Sequence, residues 1–94
     1  MYLLRIEHAV NDYNGWKKSF DSDPIGREKS GVRQYRIMRP AGDEKTVMID
    51  LEFDERNQAE SALSKLREVW KQVQGSVIFN PKVQIVETLE TKKF

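Results

Sequence analysis

Residues 46–66 read TVMIDLEFDERNQAESALSKL, and the period of the apolar residues changes partway along. Val47, Ile49, Leu51 and Phe53 alternate with Met48, Asp50 and Glu52, which predicts a strand with one apolar and one mixed face. Beyond Asp54 the apolar residues are Ala59, Ala62, Leu63 and Leu66, continued by Val69. That three-and-four spacing predicts an amphipathic helix. Asp54 stands where an N-cap belongs, with a side-chain oxygen for the free amides of the first turn. Gly75 ends the helix.

The pattern extends in both directions from this unit. PAGDEK, residues 40–45, is a turn punctuated by Pro40 and Gly42, and VRQYRIMR, residues 32–39, is the strand before it, so the two strands form a hairpin. YLLRIEH, residues 2–8, also alternates, with Tyr2, Leu4, Ile6 and His8 on one side and Leu3, Arg5 and Glu7 on the other. Asn11 or Asp12 then caps a helix on which Tyr13, Trp16 and Phe20 share a face, despite Gly15, which costs about 1 kcal/mol relative to alanine. Pro24 disfavours a helical Asp23, and Gly31 closes the connection. Downstream, SVIFNP at 76–81 reads as an apolar loop, and its three consecutive apolar residues suit packing against a second copy. KVQIVETL at 82–89 reads as a fourth strand. The order β-α-β-β-α-β predicts an α+β, ferredoxin-like sandwich: a four-stranded antiparallel sheet with both helices on one face, in a single domain over 1–94.

Composition narrows the function classes. Sixteen basic and fifteen acidic residues leave a net charge of +1, with no broad electrostatic footprint for nucleic acid or an anionic membrane. With no cysteine and one histidine, neither thiolate chemistry nor a histidine-rich metal site is expected. No apolar run approaches the roughly 20 residues of a membrane span, and MYLLRIEHAV lacks a signal peptide's basic leader, so the expected location is cytoplasmic.

The helix-covered face of the sheet collects Leu4, Ile6, Tyr35, Ile37, Val47, Ile49, Leu51, Phe53, Val83 and Ile85, with His8 in the same register. The other face mixes Leu3, Met48 and Val86 with Arg5, Glu7, Arg36, Asp50 and Glu52. It is either a solvated sheet or the interface of a homodimer in which two sheets face each other. A 94-residue chain buries only roughly 60–70% of its unfolded surface, which favours the dimer. RNA-recognition motifs share the strand order and stack bases on outward aromatics of the central strands. KTVMIDLEF has neither their glycine nor those aromatics, and it places Asp50 and Glu52 where phosphates would approach; no nucleic-acid partner is expected.

NDYNGWKKSFDSDPIGREKSGVRQYRIMR, followed by TVMIDLEFDERNQAESALSKL, resembles the dimeric α/β-barrel superfamily, and within it the antibiotic-biosynthesis-monooxygenase-like proteins. The resemblance covers nearly the whole chain. Its most specific part is Asp12-Tyr13-x-x-Trp16-x-x-x-Phe20, followed by Arg27 and by Gly31 opening the second strand. It implies a homodimer of ferredoxin-like subunits, each with a cavity between sheet and helices. Members oxygenate polycyclic phenols without metal or flavin, degrade haem, or isomerise or cyclise small molecules, and fold membership does not choose among these. Haem-degrading members carry a ligating histidine on the second helix. Residues 55–73 contain none, so neither haem nor any other cofactor is expected.

The candidate site is the cavity's end beside His8, where Tyr13, Trp16 and Tyr35 are expected to converge. His8 is the expected proton acceptor, Tyr13 and Tyr35 orient substrate oxygens, and Trp16 and Phe20 form an apolar wall. Arg27 at the mouth holds an anionic group. Each residue also has a purely structural reading. The aromatics are spaced as helix core, Asp12 is a cap, and Arg27 ties its loop to Asp21, Asp23 or Glu28. His8 needs a partner, with Asp12 or a tyrosine hydroxyl available. Two functions therefore stand: a cofactor-independent monooxygenase or isomerase acting on a small phenolic or enolic molecule, and a non-catalytic small-ligand-binding or stress-related barrel.

Overall fold

In the computed structural model, which describes residues 1–94, the elements are β1 (Tyr2–Val10), α1 (Tyr13–Asp21), β2 (Gln34–Met38), β3 (Thr46–Phe53), α2 (Arg56–Val73) and β4 (Ile78–Glu87). All pairings are antiparallel and the sheet order is β2-β3-β1-β4, the ferredoxin-like arrangement. Two rows cross the covered face: Tyr35–Leu51–Leu4–Ile85 and Ile37–Ile49–Ile6–Val83. Their central members join Val10, Val47, Phe53, Trp16, Ala59, Ala62 and Ile78 in one core. Full burial of a side chain such as Phe53 stabilises the fold by about 1.5–3 kcal/mol.

Each helix is fixed at its start by a short-range polar contact. Asp12 caps α1, accepting from the Gly15 amide at 3.0 Å. At α2 the N-cap is Glu55, whose amide donates to Gln58 Oε1 at 3.1 Å. Asp54, the residue expected there, lies one position outside the helix and faces Arg33 at 3.6 Å. β3 runs through Phe53, so the chain needs Asp54 for the bend before an extended residue can lead into the helix.

The fourth strand begins four residues earlier than the alternation predicts. Val10 pairs with Ile78 and Ala9 with Phe79, then the register shifts so that Glu7 pairs with Lys82. One extra residue on β4 therefore sits opposite His8. Asn80, with φ of 52°, makes the bulge, and Pro81 supplies no amide to the ladder. A bulge breaks the period of two, which is why this segment reads as a loop. The shift turns Ile78 inward, where it is buried in its own chain's core with Val77 packed against it.

On the open face one row reads Arg36–Asp50–Arg5–Gln84. Arg5 grips Asp50 through two bonds of 3.0 Å, Nε to Oδ1 and Nη2 to Oδ2. The arginine stem helps shield Asp50, and the carboxylate raises the guanidinium's already high pKa. Glu52 accepts from Gln34 at 2.7 Å.

The connection from α1 to β2 closes against α2 at Gly31, where φ is 97°. A Cβ there would lie 2.7 Å from Nε2 of Gln58, the residue bracing the start of α2. Gly31→Ala is expected to cost about 1–3 kcal/mol, combining backbone strain with a loosened cap. Gly42→Ala, at φ of 85° but in open space, should cost less. Equal losses in urea unfolding would show that the Gln58 contact contributes nothing.

Candidate active site

A cavity of about 250 Å³ lies between the sheet, α1 and the C-terminal half of α2. Its floor is Ile6, Ile49 and Leu51. Trp16 and Phe20 line it from α1, and Leu66, Val69, Trp70 and Val73 from α2. The cavity follows from the distribution of side-chain size along α2. Ala59 and Ala62 are fully buried and let the first turns lie close on the sheet. The bulkier residues that follow hold the last turns away. The polar groups on the lining are His8, Arg27, Ser19, Ser22 and Gln72, and no carboxylate is among them.

His8 is the one ionisable group deep in this space, only 3% exposed at the end of the apolar row. Its partner is neither Asp12 nor a tyrosine. Nδ1 lies 3.2 Å from the Ala9 carbonyl oxygen. A carbonyl can only accept, so Nδ1 carries the hydrogen and Nε2 holds the lone pair. Nε2 has no protein partner and is not walled off. Burial holds the imidazole's pKa below its ordinary value of 6.5, outweighing the Ala9 bond, so the ring is neutral at neutral pH.

The aromatic residues form a ladder rather than a cluster. Ring centres are 5.6 Å apart for His8 and Trp16, 5.1 Å for Trp16 and Phe20, and 4.9 Å for Phe20 and Tyr35. Tyr13 packs at a tilt against Trp16, with ring centres 5.7 Å apart, but does not line the cavity. Tyr35 shares the covered face, as its register demands, yet it is 45% exposed and distant from His8 in the ladder. It belongs to the edge strand, where only Phe20, from the last turn of α1, meets its ring edge-on. The expected four-residue convergence is therefore reduced to His8 and Trp16, with Phe20 next in line. Arg27 does line the cavity, and it also ties its loop: Nη1 donates to the Phe20 carbonyl at 2.7 Å and Nε lies 3.5 Å from Asp23. Trp70 is the wall residue that sequence reasoning passed over. Its signal was the continuation of the α2 stripe through Leu66, Val69, Trp70 and Val73.

The depressed pKa of His8 makes stability depend on pH. The unfolded chain takes up this proton near 6.5, whereas the folded chain resists it. The resulting stabilisation is complete above that pH and is lost as pH falls through 6.5 toward the folded value. Urea midpoints should therefore fall more steeply below pH 6.5 in the parent than in His8→Phe, which lacks the titrating group. Parallel profiles would show that His8 titrates alike in both states.

No protein-family model matches the chain, and no curated protein matches it by sequence. Solved structures do match. SnoaB, a cofactor-independent oxygenase from Streptomyces nogalater, aligns with a TM-score of 0.75 at 8% identity over 96% of this chain and 94% of that one. A dimeric ferredoxin-like protein from an uncultured marine organism aligns with a TM-score of 0.69 at 10% identity over 100% of both chains. A protein assigned as an antibiotic biosynthesis monooxygenase from Nitrosomonas europaea gives 0.63 at 15% identity over 96% of this chain and 100% of that one. At these identities the agreement is in the chain path. The chain has the ferredoxin-like fold that these structures share.

Proposed function

We propose that the protein is a cytoplasmic homodimer whose cavity takes a small, flat phenolic or enolic molecule and removes a proton from it. Cofactor-independent oxygenation or isomerisation follows. The observation that carries this reading is His8: a buried neutral imidazole, fixed as one tautomer by the Ala9 carbonyl, with an unpartnered Nε2 on an apolar cavity.

The chemistry follows from that tautomer. Nε2 accepts the acidic proton of the bound molecule, and the new imidazolium pairs with the phenolate or enolate left behind. Returning the proton to a different carbon gives an isomer with no net redox change. With dioxygen as co-substrate, the carbanion forms a C–O bond and the imidazolium protonates the resulting peroxide. Loss of water then turns a CH₂ group into a carbonyl, with one oxygen atom in the product and one in water. Trp16, Phe20 and Trp70 exclude solvent and stack on the ring. Ser19 and Ser22, rather than Tyr13 and Tyr35, are the hydroxyl-bearing residues on the lining, although the Ser22 hydroxyl already donates to the Ser19 carbonyl at 2.6 Å.

The dimer reading rests on the open face, where Leu3, Met48 and Val86 surround the Arg5–Asp50 pair, and on the dimeric protein of the same fold. Sedimentation at micromolar concentration is expected to show a dimer; a monomer would remove this part of the proposal.

A second reading, ligand binding without turnover, is favoured by one observation: His8 is the only general base on the lining and no acid stands beside it. Aerobic incubation with polycyclic phenols under isotope-labelled dioxygen separates the two. Label in a carbonyl product, reduced about 100-fold or more in His8→Gln, is the expected result. Turnover that survives in His8→Gln would remove His8 from the chemistry, and binding without turnover would establish the second reading.

A further inference from the structure

The end of the cavity opposite His8 points to a narrower class of ligand. We propose that the site takes an aromatic acid, with its ring against Trp16 and Phe20, a hydroxyl at His8 and its carboxylate on Arg27. The inference rests on the binding mode proposed above and adds the anionic group.

Arg27 borders two spaces, the apolar cavity and an outer polar groove that also contains Asp23, Glu28 and Asp54, so its guanidinium closes that end of the cavity. The side chain is only 16% exposed. Its carbon sits 3.9 Å from the centre of the Phe20 ring and 5.1 Å from that of Tyr35. Of five N–H donors, one is satisfied by the Phe20 carbonyl at 2.7 Å and one points to Asp23 at 3.5 Å. The same Oδ1 also accepts the Arg27 amide at 2.9 Å, so Asp23 meets the guanidinium through Nε alone. The donors on Nη2 have no protein partner and are not walled off. A loop tie needs only the first two contacts, and it leaves the Nη2 donors unused beside an apolar space.

The charge on the lining points the same way. With Arg27 positive, His8 neutral and no carboxylate present, the cavity favours an anion over a neutral molecule or a cation. His8 and Arg27 stand at opposite ends of the ladder, joined through Trp16 and Phe20. A flat molecule carrying a proton donor at one end and a carboxylate at the other satisfies both.

Three probes test this: a hydroxynaphthoic acid with its two groups at opposite ends of the ring system, its carboxamide, and the naphthol lacking the carboxyl group. Binding is followed by quenching of tryptophan fluorescence. The acid should bind the parent about tenfold or more tightly than the carboxamide, the range of one charge-assisted hydrogen-bonded pair. Arg27→Gln should abolish that preference, while Arg27→Lys should keep part of it. Because Arg27 also holds its loop, thermal unfolding is recorded for both variants. The acid-to-carboxamide ratio in the parent decides the matter even if neither variant folds. Equal binding of acid and carboxamide, or a preference that persists in Arg27→Gln, overturns the proposal. If naphthol still binds or turns over in a His8-dependent manner, only the acid specificity has failed. If no probe binds at millimolar concentration, both readings fail.

Discussion

Two alanines set how closely α2 lies on the sheet. Ala59 and Ala62 have no exposed surface, so the backbone of the first turns comes down onto the apolar face. The later residues of the same stripe are Leu66, Val69, Trp70 and Val73, and their bulk lifts the rest of the helix away. A nine-residue α1 beside an 18-residue α2 leaves part of the covered face open. That part is collected at one end, beneath α1 and beside the last turns of α2, and most of the side chains that wall it are apolar. A cavity with dry walls is thus a consequence of packing, and the few polar groups that reach it gain strength from the low local dielectric.

His8 lies at the point where this geometry meets a defect in the sheet. The β4 bulge falls opposite it, so the ladder is irregular where the imidazole leaves the apolar row. The ring's only hydrogen bond is to the next residue's carbonyl, a local bond that holds one tautomer and leaves the other nitrogen free. Burial then keeps the ring neutral. Register, hydrogen bonding and desolvation act together here, and each contributes to an imidazole that stays neutral at neutral pH with no carboxylate beside it.

The two faces of the sheet have different electrostatics. The covered face keeps its buried imidazole uncharged, whereas the open face pairs Asp50 with Arg5 and gives Glu52 a hydrogen bond from the neutral Gln34 amide. A carboxylate held in two parallel bonds is far easier to bury further than a free one.

The strand order, both helices and the apolar face were legible in the sequence, because periods of two and 3.6 survive wherever elements are regular. Val47 to Phe53 and the stripe from Ala59 onward carried the fold, and Asp12 announced its helix. Where the chain departs from regularity the signal failed. The Asn80–Pro81 bulge disguised the start of β4, and the bend at Asp54 displaced the expected cap by one residue. The sequence also named His8, Trp16, Phe20 and Arg27 as residues with chemistry to offer. It could not say that Tyr35 sits on an edge strand, that Tyr13 stacks behind Trp16, or that Trp70 closes the cavity. Those facts depend on how far each helix reaches across the sheet, which is a matter of side-chain volume in three dimensions and leaves no period in one.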